Sequence, residues 1–172
     1  MSKLFTPLNI GSLQLANRVT VAPMCQYSAD NGSMTDWHLM HLGTLALSGV
    51  GMLVIEATGV VPEGRITPQC AGLYSDENEA AMARVVRHVR SISRTRLGVQ
   101  LGHAGRKASS HRPWGGRGPL GAQEGAWTTV APSAIALAPG WPTPHALTEA
   151  EMQALKAAFV QAVRRAARIG LD

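Results

Sequence analysis

Three short stretches of this 172-residue sequence gather side chains able to do chemistry. The first, Ala22-Pro23-Met24-Cys25-Gln26-Tyr27, sets a thiol two residues from a phenol. The second, Glu56-Ala57-Thr58, places a carboxylate inside an apolar run, and the third, Gln100 to Lys107, carries an amide, His103, Arg106 and Lys107. A thiol with a histidine elsewhere in the chain permits nucleophilic acyl chemistry, with Cys25 attacking and His103 as its base. The same thiol can equally be a small core residue without reactivity. Histidine is the usual acid–base side chain, yet His103 can also shape a site through hydrogen bonds alone. Glu56 reads either as a general base or as a buried carboxylate held by a partner. His38 and His41 could share a metal, but a closed site needs further ligands and no suitable third is evident, so no metal is expected. Arg106, Lys107, Arg112 and Arg117 fall in one loop and suit a local anionic ligand. Cys70, in a loop after Pro68, reads as incidental.

The elements that must position these groups follow from periodicity. Residues 8–15 read as a hairpin turning at Gly11-Ser12. Residues 18–24 carry β-branched residues and end near a proline, as a strand leaving its sheet does. Asn31-Gly32 marks a turn, and a helix is expected from Asp36 to Ser48 with Leu39, Leu42, Ala46 and Gly49 on one stripe. Met52 to Thr58 is an almost continuous apolar run, the pattern of a parallel strand buried on both faces. Ser75 caps a second helix whose first turn is acidic and whose buried face is Met82, Val85, Val86, Val89 and Ile92. Leu97 to Leu101 is the third strand. The stretch from Gly105 to Leu147 holds three of the four tryptophans and six of the ten prolines, and a connection of that length is expected to be functional. Thr148-x-x-Glu151 opens a third helix with a capping box, with Met152, Leu155, Phe159, Ala162, Val163 and Ala166 as its stripe.

A hairpin followed by three strand–helix units predicts an α/β fold with a parallel sheet. Gly49-Val50-Gly51 precedes a strand where a dinucleotide loop would follow one, so a β/α barrel is the better architecture. In such a barrel chemistry sits at the C-terminal ends of the strands, where all three stretches fall. Eight units need about 250 residues. The sequence is therefore read as the N-terminal part of a (β/α)8 barrel, truncated before its fourth strand, with residues 1–172 forming one portion of a single domain.

Composition removes other classes. Hydrophobic residues make up 45% and charged residues 16% of the chain, with net charge +5, which is too apolar for disorder. No run reaches the roughly 18 apolar residues of a membrane span. No secretory leader is visible, and two cysteines make no disulfide framework, so a cytoplasmic protein without membrane contact is expected. The arginines at 84, 87, 90 and 94 and at 164, 165 and 168 read as solvated helix faces. No nucleic-acid reader motif accompanies them.

Taken together, the strings NRVTVAPMCQYSADNG, DWHLMHLGTLALSGVGMLVIEATGVVPEGRITP and GVQLGHAGRKASSHRPW resemble the Old Yellow Enzyme family of flavin ene-reductases, most closely its bacterial xenobiotic-reductase-like branch with a cysteine beside the flavin. APSAIA and the third helix fit as well, so the resemblance covers essentially the whole chain. It implies FMN at the barrel mouth, NADPH or NADH as reductant, small activated alkenes as substrates, and a homo-oligomer at full length. Ala22, Pro23, Met24 and Cys25 would line the flavin ring, Ala57 would lie near it, and Gln100 would hydrogen-bond its pyrimidine side. Cys25 would tune the flavin without acting as a nucleophile. Tyr27 would reach the substrate, and Lys107 and His103 could meet substrate or nicotinamide. A complete member continues into a strand with paired histidines and a tyrosine, then into the segments that grip the FMN phosphate. This chain would therefore supply one wall of the site. The alternatives are an inactive fragment or interaction stub, and a cysteine–histidine hydrolase on the same scaffold. Alone, with open sheet edges, the chain is expected to be insoluble, molten or self-associated.

Overall fold

The computed structural model describes residues 2–172. Strands β1 (Leu8–Ile10) and β2 (Leu13–Leu15) form the expected antiparallel hairpin, with Gly11 at φ 59° in its turn. A three-stranded parallel sheet follows in the order β3 (Thr20–Val21), β4 (Met52–Gly59), β5 (Arg96–Gly102). The helices α1 (Asp36–Ala46) and α2 (Asp76–Ile92) alternate with these strands, and α3 (Glu149–Arg168) comes last. Within the long connection, β6 (Val130–Ala131) and β7 (His145–Ala146) pair in parallel.

The sheet packs against α1 and α2 through side chains that alternate out of its strands. Leu53 and Ile55 of β4 and Leu97 of β5 meet Leu42 and Ala46 of α1 and Met82, Val85, Val86 and Val89 of α2. Each is buried to 6% exposure or less. Full burial of a side chain of this kind contributes roughly 1.5–3 kcal/mol, so this layer is the main cohesive element.

Four expectations need correction. The strand anticipated over 18–24 pairs only at Thr20 and Val21, because Pro23 has no amide hydrogen to continue a ladder. Helix α1 stops at Ala46, two residues early, and the chain reverses through Gly49 at φ 82°. Ile92 is 40% exposed. At 3.6 residues per turn it lies about 80° from Met82, outside the buried stripe. Only Ala162 and Ala166 of α3 are buried, while Met152 and Val163 stand in the open.

Ion pairs hold α3 in place. Arg165 bridges Asp76 and Glu79 of α2 at 2.6 Å each, and Arg168 reaches Glu79 at 2.8 Å. The Asp172 carboxylate accepts from the Leu97 amide at 2.8 Å and pairs with Arg90 and Arg96. Several of the arginines that looked like plain solvated surface thus tie one helix to another, or α2 to Asp172.

Candidate active site

The site is built on an irregularity in β4. Pairing with β5 runs evenly from Met52↔Arg96 to Ile55↔Val99, then resumes at Ala57↔Gln100, leaving Glu56 as the extra residue. Bulges of this sort re-aim side chains near active sites. Here the carboxylate of Glu56, 4% exposed, accepts from the Gln26 amide at 3.0 Å and lies 3.2 Å from His38 Nε2. His38 Nδ1 accepts from the Thr35 amide at 3.0 Å, so the ring proton sits on Nε2, on the Glu56 side. The contact is electrostatic, since Nε2 is not aligned for a hydrogen bond. Glu56 is therefore the held carboxylate of the two readings, and it fastens the loop after β3 to α1.

Beyond the bulge, Ala57, Gln100, His103 and Lys107 line one cavity of about 200 Å³, together with Gly102 and Arg65. These four predicted residues do come together. The inner face they share pairs Ala57 with Gln100 and Gly59 with Gly102, and a Cβ on Gly102 would meet nothing within 4 Å. Barrel interiors are ordinarily filled by bulky branched side chains, so this row leaves a flat slot at the strand ends. Above it, His103 Nδ1 accepts from the Gly105 amide at 2.9 Å, which puts the ring proton on Nε2. That Nε2 is buried and has no partner among the described residues. Burial also lowers the imidazole's affinity for a second proton, so His103 offers a neutral N–H. A Cβ on Gly64 would come within 2.8 Å of the His103 ring and 3.2 Å of Val61, so the bare glycine allows the imidazole its position.

Arg65 spends its charge locally, on the Pro62 and Pro68 carbonyls at 2.9 and 3.0 Å and over the rings of Trp127 and Tyr74. Lys107 is exposed and has no ion-pair partner among the described residues, which leaves it free to meet a ligand. A flat slot, an unsatisfied buried donor, an amide at its floor and a free ammonium suit a planar, acceptor-rich group such as a flavin ring.

The structure does not bring the other predicted residues to this cavity. Ala22 and Met24 line a narrow crevice between β3, α1 and β4, alongside His41 and Glu56. Pro23 lies between them in sequence, where the strand ends. Tyr27 adopts φ 51°, rare for a residue with a side chain, and its ring meets Trp114 edge-on at 5.5 Å. Strain of this kind gathers at functional positions. Burial pushes the Tyr27 phenol up.

Cys25 faces Cys70. The neighbouring thiol is the largest influence on each sulfur: it raises Cys25 far above the usual thiol range and lowers Cys70 to about 6. The Thr67 amide and hydroxyl, at 3.4 and 3.5 Å from the Cys70 sulfur, favour negative charge there. Cys70, read from the sequence as incidental, is buried and hydrogen-bonded to Thr67. No histidine acts on Cys25, whose proton is held more tightly than in a free thiol. An activated cysteine nucleophile requires the opposite.

Sequence reasoning missed Gly64, Arg65, Cys70 and Trp114. Gly64-Arg65 stands inside one of the family-like strings and could have been found there. Trp114 closes another of those strings, but its contact with Tyr27 joins distant loops, and Cys70 lies outside the strings. Among the described residues, no group of three or more His, Cys, Asp or Glu side chains could hold a metal ion, and no helix is long and apolar enough to cross a membrane.

Comparison with known proteins gives the chain's family. The model of the NADH:flavin oxidoreductase / NADH oxidase family matches residues 3–172. An NADH:flavin oxidoreductase of Gibberella zeae is 45% identical over 175 residues, covering 99% of this chain and 42% of that protein. An NADPH dehydrogenase of Bacillus subtilis is 36% identical over 172 residues, covering 99% of this chain and 46% of its own length. Morphinone reductase in complex with tetrahydroNAD superposes with a TM-score of 0.82 at 30% identity, over 100% of this chain and 48% of that one. The Old Yellow Enzyme homologue from Zymomonas mobilis gives 0.81 at 25% identity, over 99% of this chain and 47% of that one. The chain spans less than half the length of these relatives and corresponds to the N-terminal half of their barrel. With its sequence matched from residue 3 to residue 172, the chain belongs to the NADH:flavin oxidoreductase / NADH oxidase family, that of the Old Yellow Enzymes.

Proposed function

We propose that this chain forms the N-terminal wall of an FMN-dependent ene-reductase that uses NADPH or NADH to reduce the activated C=C bond of small enone-type substrates. The observation that carries the reading is the slot itself: Ala57 and Gln100 in register on its floor, with the unpartnered His103 Nε2–H above. Bound there, a flavin supplies a two-electron carrier that accepts hydride from nicotinamide and gives it to the alkene. The family membership and the NADPH dehydrogenases among the relatives support the same chemistry.

The chain's own groups have distinct tasks in this reading. Gln100 bonds the polar edge of the ring through its carboxamide. Ala22, Pro23, Met24 and Ala57 give the ring an apolar bed, and small side chains there let it lie flat. Cys25 sits beside the ring as a neutral thiol, protonated at pH 7, and modulates potential and substrate affinity, as in the xenobiotic-reductase-like branch. Tyr27, propped by Trp114, contacts substrate. His103 donates its Nε2 proton as a hydrogen bond and keeps it, and Lys107 meets negative charge on substrate or nicotinamide. We place the protein in the cytoplasm, as a homo-oligomer in its complete form.

The test is flavin retention in a Gln100→Ala variant of the protein carrying this chain. Loss of one ring hydrogen bond costs about 0.5–1.5 kcal/mol, so FMN affinity by fluorescence titration should fall roughly 2- to 12-fold. Unchanged affinity and unchanged potential would take Gln100 out of the site.

A further inference from the structure

Tyr27 keeps a backbone conformation that costs energy, and the chain on both sides of it is tied down. On one side, the Gln26 amide donates to Glu56 Oε2 at 3.0 Å. On the other, the Ser28 carbonyl accepts from the Thr35 hydroxyl at 2.9 Å. Glu56 and Thr35 are themselves joined through His38, whose Nδ1 accepts from the Thr35 amide at 3.0 Å and whose Nε2 faces Glu56 Oε1 at 3.2 Å. The Gln26 side chain adds two further ties, donating to the Met24 carbonyl at 2.8 Å and accepting from the Trp37 indole at 3.1 Å. Glu56 and His38 are 4% and 1% exposed, so water does not compete with the bond to Gln26. A residue with a side chain persists at φ 51° only where its surroundings over-determine it. Here one carboxylate and one hydroxyl, acting a single residue to either side, do so.

We infer that Glu56, the extra residue of β4, is a positioning residue: with Thr35 it holds Tyr27 at the angle from which the phenol meets substrate. The substrate, an enone, rests on the function proposed above, while the hold on Tyr27 stands on geometry alone. What Glu56 supplies is a buried acceptor at a fixed reach. An aspartate, one methylene shorter, keeps the charge and falls short of the Gln26 amide. A glutamine keeps the reach and can turn its carbonyl oxygen to that amide. It gives up only the contact with His38, whose Nε2 is not aligned for a hydrogen bond. A displaced Tyr27 loses binding that ground state and transition state share, so the loss falls on KM and spares kcat.

The experiment compares Glu56→Asp, Glu56→Gln, Tyr27→Phe and the double variant Glu56→Asp/Tyr27→Phe in the complete protein carrying this chain, with 2-cyclohexenone as the enone. Glu56→Asp should raise KM roughly ten-fold with kcat held within about two-fold, and Glu56→Gln should stay within about three-fold of wild type in KM. Once Tyr27 is Phe, Glu56→Asp should add nothing further, because a residue that acts through Tyr27 is coupled to it. Amide exchange over residues 24–28, read by mass spectrometry, should quicken roughly ten-fold or more in Glu56→Asp and stay unchanged in α2. Glu56→Gln as damaging as Glu56→Asp would make the charge the active property and overturn the inference. Additive effects with Tyr27→Phe, or unchanged exchange over 24–28, would overturn it too. If Glu56→Asp does not fold, Thr35→Val, which removes only the hydroxyl that holds Ser28, carries the same expectations. Wild-type protein that reduces no enone would remove the function proposed above, and the exchange comparison would still decide whether Glu56 holds Tyr27.

Discussion

At the scale of single residues, Cys25 separates two kinds of participation. A thiol that modulates a neighbouring redox group can be removed without stopping the reaction, whereas a thiol that forms a bond to substrate cannot. Cys25→Ala in the complete enzyme should therefore keep turnover while shifting KM and the flavin potential. Total loss of turnover with flavin still bound would make the sulfur a reactant. Ala57, Gln100, His103 and Lys107 were legible as a group because each lies near or just beyond the end of a recognisable strand, and strand ends share one mouth. Cys70 and Trp114 were not, because nothing local in their loops tells which distant loop they will face. Glu56 was legible only as a choice between two roles, since its partner His38 lies on another element.

At the scale of elements, the start of the sheet hangs on Asn17. Its Oδ1 accepts from the Val19 and Gly51 amides at 3.0 Å each, and its Nδ2 donates to the Gly49 carbonyl at 2.8 Å. Asn17→Ala leaves the Val19 amide without its acceptor and the Gly51 amide with only the Val19 carbonyl, where β3 and β4 begin. The expected loss is about 1–3 kcal/mol, read as a lower urea midpoint with unchanged slope. The start of α3 is pH-sensitive in a defined direction. The Glu151 carboxyl is lowered to about 2, first by the Thr148 amide and then by His145 and the Thr148 hydroxyl. Its contribution is whole above the unfolded value of 4.5 and is lost as pH falls through about 2. Amide exchange in the first turn of α3 should accelerate over that interval, and Glu151→Gln should flatten the change. Helices and central strands were readable because caps and apolar period coincide in them. The short β3 was overestimated because β-branched residues mark strand propensity, not where a neighbour stops pairing.

At the scale of the whole molecule, a three-stranded parallel sheet with helices on one side leaves its inner face short of partners. Met24 is 49% exposed, and Met152, Val160 and Val163 of α3 are 41%, 43% and 56% exposed. Charged residues are 16% of the chain, which gives little repulsion to set against an open strand edge. The 172 residues expressed alone should therefore self-associate or stay molten, hold FMN weakly and fail to reduce enones with NADPH. Size exclusion, dye binding to exposed apolar surface and a flavin spectrum would show it. A monodisperse monomer with stoichiometric FMN and turnover would prove the half-barrel sufficient. The barrel architecture itself was readable from strand–helix alternation, since a parallel strand can return to its sheet only over a crossover.

The extra residue in β4 also bears on how this strand tolerates insertions and deletions. Without Glu56 the ladder would read evenly from Met52 to Gly59, with every face as it is now. Glu56 is thus an insert in an otherwise regular strand, and its carboxylate can be gained or lost without turning Ala57 away from the mouth. Deleting Ala57 instead would move the carboxylate into register with Gln100, onto the floor of the slot. Two neighbouring single-residue deletions would leave strands of equal length, one with its apolar floor intact and one with an anion set into it.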